Sequence, residues 1–168
     1  MKRFMFLGLL VLFLMSVSRL LGTTLWRDDF NKIENWYDNK AHPSYNAVIV
    51  PGKKAGTADV IQKGSEKWGK AAFTVSNVDV DIFNIIRVKV DKVEKNGDFK
   101  ILASTSSWDK TFVVIDRGKG KGVHEGNIKE ATGWKGKMTF NIVIVVEGAG
   151  KKVTLDWIAL SSKESEDT

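Results

Sequence analysis

From Phe140 to Val146 apolar side chains fill both phases of a two-residue period, while from Ile86 to Val90 they alternate with Arg87 and Lys89. A two-residue period puts successive side chains on opposite faces of an extended strand, so these stretches cannot be amphipathic helices. In the Ile86 stretch a slip of one residue would bury two charges, which fixes its register. The Phe140 stretch is apolar on both faces and is expected to be a central, covered strand. After Gly22 no segment keeps apolar residues at helical spacing over three turns, so an all-β body is expected.

Strands are read near Leu25–Phe30, Ala47–Val50, Asp59–Gln62, Lys70–Val75, Asn84–Val93, Asp98–Thr105, Thr111–Asp116, Gly122–Lys129, Lys137–Glu147 and Val153–Ser161. Turn residues separate them: Pro51-Gly52, Asn96-Gly97, the glycines from Gly118 to Gly122, and Gly148-Ala149-Gly150. Asn96-Gly97 tolerates the positive φ of a tight reversal and predicts a hairpin between its flanking strands; Gly148–Gly150 predicts another. Short strands with glycine turns indicate a two-sheet antiparallel β-sandwich, and long crossovers such as Trp68–Asn84 suit a jelly roll better than a meander. The body is expected over residues 23–161. Residues 162–168 carry charges and no apolar side chain, and read as a frayed polar tail.

Ahead of that body, Lys2 and Arg3 precede an apolar stretch from Phe4 to Met15, which ends in Ser16, Val17, Ser18, Arg19, Leu20, Leu21 and Gly22, with small residues for cleavage. This is the pattern of a cleaved secretory signal peptide over residues 1–22. Its apolar core is short against the roughly 20 residues that span a bilayer, and Arg19 interrupts any extension, which disfavours an uncleaved anchor. The expected product is secreted or periplasmic, with no membrane span once the signal is removed. Without residues 1–22, and so without Lys2, Arg3 and Arg19, the net charge falls from +6 to +3. The remaining lysines are scattered rather than gathered on one face, which argues against a nucleic-acid partner. There is no Cys, which excludes disulfides, thiolate metal sites and a cysteine nucleophile.

Four stretches together resemble the galactose-binding-like jelly-roll superfamily, which includes many carbohydrate-binding modules. They are Trp26-Arg-Asp-Asp-Phe30 with Trp36 shortly after, Val80 to Val90, Ala131-Thr-Gly-Trp-Lys-Gly136, and Val153 to Leu160 with Asp156-Trp157 inside it. Their order along the chain carries the likeness. It implies that the two chain ends pair and that the Gly133-Trp134 turn introduces the penultimate long strand. Phe83-Asn84 stands where the resemblance leads one to expect a proline. The concanavalin-like lectins and glucanases, with their Asp-Asp-Phe opening, are the other jelly roll to weigh.

Catalytic signals are weak. Asp79 and Asp81 share a face if extended, but a solvated acidic edge explains them better, and the Glu-x-Asp-x-x-Glu arrangement of a retaining glucanase is absent from the chain. His42 and His124 stand far apart without a second ligand at zinc spacing. No Gly-x-Ser-x-Gly elbow occurs, and Gly118, Gly120 and Gly122 open no helix that could cradle a phosphate. The chain therefore reads as a non-enzyme.

Pairing of the first and last strands would bring Asp28 and Asp29 close to Asp156. The resemblance implies a structural Ca²⁺ there, with Asp29, Asn31 and Asp156 as ligands. Sugar recognition uses aromatic rings against pyranose faces and polar side chains for hydroxyls. Trp26 and Trp157 lie in strands, and Trp134 is expected to plug the sandwich end. Trp36, Tyr37, Trp68 and Trp108 fall in expected loops and are the candidate stacking platforms, with Arg87 and Asn141 as polar contacts. The function expected is a non-catalytic carbohydrate-binding domain taking a poly- or oligosaccharide through loop aromatics. Two alternatives remain: a cell-envelope or adhesion module that contacts protein without sugar, and a glycan-active enzyme of concanavalin-like fold.

Overall fold

A computed structural model describes residues 23–38, 47–63, 68–94, 98–118 and 120–163, with Asp38 and Trp68 placed by backbone alone. The signal peptide assigned to residues 1–22 lies outside the described residues, as do Asn96-Gly97 and residues 164–168. Eleven strands are described: β1 Thr24–Asp28, β2 Tyr37–Asp38, β3 Ala47–Pro51, β4 Ala58–Gln62, β5 Trp68–Asp79, β6 Ile85–Val93, β7 Asp98–Thr105, β8 Thr111–Gly118, β9 Gly122–Asn127, β10 Lys137–Glu147 and β11 Lys152–Ser161. They build two antiparallel sheets. One runs β3-β4-β11-β6-β9, with β1 also on β11, and the other runs β2-β5-β10-β7-β8. Together they make a β-sandwich of jelly-roll type.

β10 is the central strand of the second sheet. Its Phe140, Ile142, Ile144 and Val146 point into the space between the sheets and meet Ile86, Val88, Val90, Leu155, Ile158 and Leu160 from the first. Each fully buried aliphatic side chain of this kind contributes about 1.5–3 kcal/mol, which holds the two layers face to face. The opposite phase of β10 is also buried: Val143 and Val145 form a second small apolar cluster with Ala72, packed by Leu102, on the outer face. The expectation of a strand apolar on both sides holds, and it marks where that outer face is covered.

The chain ends pair as the resemblance implied. Trp26 to Asp28 of β1 run antiparallel to Leu160 to Ile158 of β11, and β4 occupies the rest of that edge. Ser162 is not frayed: its N–H donates to Thr23 O at 3.0 Å, and its Oγ accepts from Thr23 N at 2.8 Å.

Three expectations are corrected. β6 and β7 lie in different sheets, as do β10 and β11, so neither Asn96-Gly97 nor Gly148–Gly150 closes a hairpin. Glycine-rich turns specify a tight reversal, whereas the buried faces of the flanking strands decide whether they pair or pass to opposite layers. The span Trp68–Asn84 is largely strand rather than crossover, since β5 continues to Asp79. After β9 the chain forms a short helix, α1, Ile128–Thr132, where strand was expected. It is punctuated at both ends: Asn127 Oδ1 accepts from Glu130 N, Asn127 Nδ2 donates to Glu130 Oε1, and Gly133 closes the helix at φ 71°.

At the corner where β8 meets β9 the backbones nearly touch. A Cβ at Gly126 would lie 2.4 Å from Val114 O, so glycine is required for that approach. No helix among the described residues is long and apolar enough to cross a membrane.

Candidate functional site

On the outer face of the second sheet the side chains form rows across the strands, set by pairing register. Thr74, Asn141, Ser104 and Thr111 make one row; Tyr37, Ala72, Val143, Leu102 and Val113 make the next; Lys70, Val145 and Lys100 make a third. At roughly 4.8 Å between strands, the five-strand row is about 19 Å long. Its hydrophobic middle is flanked by hydroxyls and an amide on one side and by ammonium groups on the other.

The polar row is internally satisfied. Thr74 Oγ1 donates to Asn141 Oδ1 at 2.7 Å, Asn141 Nδ2 donates to Thr105 O at 3.0 Å, and Thr111 Oγ1 donates to Ser104 Oγ at 3.1 Å. An asparagine amide has four hydrogen-bonding positions, and these bonds use two of Asn141's, in a residue that is only 3% exposed.

Trp108 comes from the turn between β7 and β8 and reaches over this face. Its backbone is left-handed, with φ 65°, which costs an ordinary residue about 1–2 kcal/mol. The turn is held by Trp108 N donating to Thr105 O at 2.9 Å, and by the Asp109 carboxylate, which accepts from Ser107 Oγ at 2.6 Å and from Thr105 Oγ1. Those hydroxyls hold the Asp109 carboxyl below the usual range. The Lys70 ammonium sits 4.5 Å from the centroid of the Trp108 ring, a cation–π contact on one ring face.

Between Trp108 and Tyr37 lies a hollow of about 480 Å³, lined also by Asn35, Ala72, Phe73, Thr74, Ser106 and Asn141. Tyr37 is 62% exposed and Trp108 38%, so aromatic surface borders this hollow. Three residues singled out from the sequence, Tyr37, Trp108 and Asn141, therefore converge.

The others separate. Trp36 is 5% exposed: its ring packs 5.7 Å from that of Phe30 and 5.5 Å from that of Phe73, and Nε1 donates to Asp28 Oδ2 at 2.7 Å. It is a core residue and not a stacking platform, because neighbouring residues entering a strand point to opposite sides and Tyr37 takes the outside. Arg87 is on β6 in the first sheet, where Nε donates to Glu125 Oε2 at 2.7 Å and Nη1 to Ser161 Oγ at 3.4 Å. It faces away from the hollow and is not among its contacts. Trp68 opens β5 opposite Glu147, and its side chain lies outside the described residues. Asn35, Thr74 and Ser106 were missed. Thr74 was legible, since it shares the phase of Lys70 and Ala72, opposite to Phe73 and Val75.

A second hollow, of about 360 Å³, lies on the outer face of the first sheet. Arg27, Asp29, Lys54, Gly56, Lys89, Asp156 and Trp157 contribute to it. Here the end pairing does bring Asp29 and Asp156 to one place. Asp156 accepts from Lys89 Nζ at 2.9 Å with Lys54 Nζ at 3.7 Å, and these ammonium groups, Lys89 foremost, hold its carboxyl below the usual range. Asp29 accepts from Arg27 Nε at 2.8 Å, and Arg27 also lies 4.6 Å over the Trp157 ring. Asn31 is exposed, with Oδ1 near Gly56.

A calcium site gathers six to eight oxygens around a cation. Here three cationic side chains occupy the surroundings of two carboxylates, and among the described residues no three His, Cys, Asp or Glu side chains group to hold an ion. As arranged, Asp29, Asn31 and Asp156 do not fit calcium.

Comparison with known proteins places the fold. No family model matches the sequence, and no curated protein does. Among solved structures, the chain is similar to a family 11 carbohydrate-binding module from Clostridium thermocellum in complex with a β-1,3-1,4-mixed-linked tetrasaccharide. The TM-score is 0.55 at 15% identity, over 86% of this chain and 98% of that one. It is also similar to the family 11 carbohydrate-binding module of the cellulosomal cellulase Lic26A-Cel5E of the same organism, with a TM-score of 0.52 at 16% identity, over 84% and 95%. The chain has the β-sandwich jelly-roll fold of carbohydrate-binding modules.

Proposed function

We propose that this jelly roll is an exported, non-catalytic carbohydrate-binding domain that holds a glycan in the hollow between Tyr37 and Trp108. The observation that carries the reading is that pair of solvent-facing rings, set across a floor of Ala72, Thr74 and Asn141. Pyranose rings present apolar C–H faces to aromatic side chains, and their hydroxyls bond the amide and hydroxyl groups between. The left-handed Trp108 backbone supports it too, because strain of this kind persists where surrounding bonds over-determine it and clusters at binding sites. The described residues lining the hollow include no carboxylate. Glycoside hydrolysis uses a carboxyl pair across the sugar, so the lining suits holding a glycan rather than cleaving it. Export rests on the composition of residues 1–22.

The test is tryptophan emission and calorimetry of the purified domain against neutral and acidic polysaccharides. A bound glycan is expected to shift the emission, and Trp108→Ala to remove both shift and heat. If no glycan is retained, the reading gives way to a protein-contact module.

A further inference from the structure

The charge around the hollow is unevenly settled. Lys70, Ala72 and Thr74 share the outer face of β5, and the last two line the hollow. Lys70 and Lys100 flank Val145 in the same cross-strand row. Lys100 is neutralised by Glu147 at 2.8 Å and Asp116 at 3.5 Å, and their carboxylates raise its pKa. Among the described residues no carboxylate pairs with Lys70. It is half-buried with its ammonium on the Trp108 ring, and burial pushes its pKa below the ordinary lysine value. A partly desolvated cation without a counter-ion is a recognition element for an anion.

We infer that the hollow is built for an acidic glycan: Lys70 receives the carboxylate of a uronic-acid residue whose neighbouring ring packs between Tyr37 and Trp108. This rests on the glycan-binding reading above and names the substrate class of the same site. A uronate carboxylate supplies the missing counter-charge, and the charge-assisted bond forms in a partly water-excluded setting where it is stronger than in bulk solvent. Neutral sugars engage the same rings and hydroxyls but leave Lys70 as it is. Lys70 is thus the specificity-determining side chain, and the aromatic pair the shared platform.

Calorimetry with length-matched neutral and uronic-acid oligosaccharides tests this. Wild type is expected to hold the acidic ligand about tenfold more tightly at low salt, with the preference shrinking as ionic strength rises. Lys70→Gln should erase the preference for the acidic ligand over the neutral one, while Lys70→Arg should keep it. Equal or tighter binding of the neutral ligand by wild type overturns the inference and leaves the glycan reading standing. A Lys70→Gln variant that weakens both ligands alike also overturns it, since Lys70 then only props the Trp108 ring. Binding of neither ligand removes both proposals.

Discussion

The two hollows lie on the outer faces of the two sheets and each is bordered by a tryptophan with a cation over its ring, yet the groups around that ring are settled differently. Beneath the first sheet's hollow, Lys89 and Lys54 are taken up by Asp156, Arg27 by Asp29, and Trp157 is 6% exposed under the Arg27 guanidinium. In the hollow of the second sheet the rings stay open and the Trp108 backbone is strained. Charges and rings consumed by the fold have nothing left for a ligand. What the fold leaves unspent, and even strains to present, is what recognition can use.

One substitution made at two positions puts the largest strain on that contrast. Trp157→Ala should cost about 3–5 kcal/mol of stability, as large buried aromatics do, and leave the glycan affinity of the folded fraction unchanged. Trp108→Ala should do the reverse, reducing affinity by roughly ten- to a hundredfold while moving stability by no more than about 1 kcal/mol. Chemical denaturation and calorimetry on the pair separate the two profiles. If Trp108→Ala unfolds as readily as Trp157→Ala, the hollows are not distinct in kind.

A subtler version sharpens the claim that strain serves presentation. At most positions glycine is less stable than alanine, because it has more backbone freedom to lose. At position 108 the backbone is left-handed, so the order should invert: Trp108→Gly should be more stable than Trp108→Ala by about 1 kcal/mol, with binding equally lost. The usual order in a thermal melt would show that the turn relaxes once the ring is gone.

Much of the fold and part of the site were legible in the sequence, and the illegible part has definite causes. Alternation in Ile86–Val90 and the doubly apolar Phe140–Val146 gave the sheets and the central strand, because burial of strand faces is a local pattern. Layer assignment was not local: Gly148–Gly150 looks like a hairpin turn but passes the chain from one sheet to the other. The helix Ile128–Thr132 is too short for a helical period, although Asn127, Glu130 and Gly133 carried its capping signals. Within the site, Tyr37, Trp108 and Asn141 were found as an aromatic pair in expected loops and a polar residue in a strand. Trp36 was misplaced, since aromatic content alone does not say which of two neighbours turns inward. Lys70 went unnoticed because a lysine that no carboxylate pairs among the described residues is visible only once the surrounding carboxylates are placed.

Acid separates the hollows by a smaller effect, since an aspartate held below its usual range sits in the turn that carries Trp108 and another lines the hollow of the first sheet. Asp109 is held there by the Ser107 and Thr105 hydroxyls, and Asp156 by Lys89. A carboxyl with a depressed folded-state pKa contributes stability in full above its unfolded value near about 4, and loses it as pH falls through the folded one. Protonating Asp109 should loosen the turn that presents Trp108, so affinity for a neutral glycan declines below about pH 4. Protonating Asp156 should lower the melting temperature without touching affinity. Asp109→Asn should flatten the binding profile, and Asp156→Asn the melting profile; exchange of those two outcomes would reverse the assignment.

The smallest expected effect is no change at all, and it probes the charge-paired hollow most directly. An ion that binds only the folded chain must raise its stability in proportion to its occupancy. For calcium to enter between Asp29 and Asp156, the ammonium groups of Lys54 and Lys89 and the Arg27 guanidinium would have to withdraw, leaving two carboxylates as the charged ligands. Those cations are tethered to the same fold, so they compete at high effective concentration, and calcium's preference for six to eight oxygens is far from met. Adding calcium or a chelator should therefore leave the melting temperature unchanged. In Lys54→Ala/Lys89→Ala the competition is removed while the carboxylates remain. A calcium-dependent rise confined to that double variant would show that the lysines, rather than a want of oxygen ligands, keep metal out. A rise in the wild type would mean that Asp29, Asn31 and Asp156 rearrange into a cage, and that this hollow too holds something in reserve.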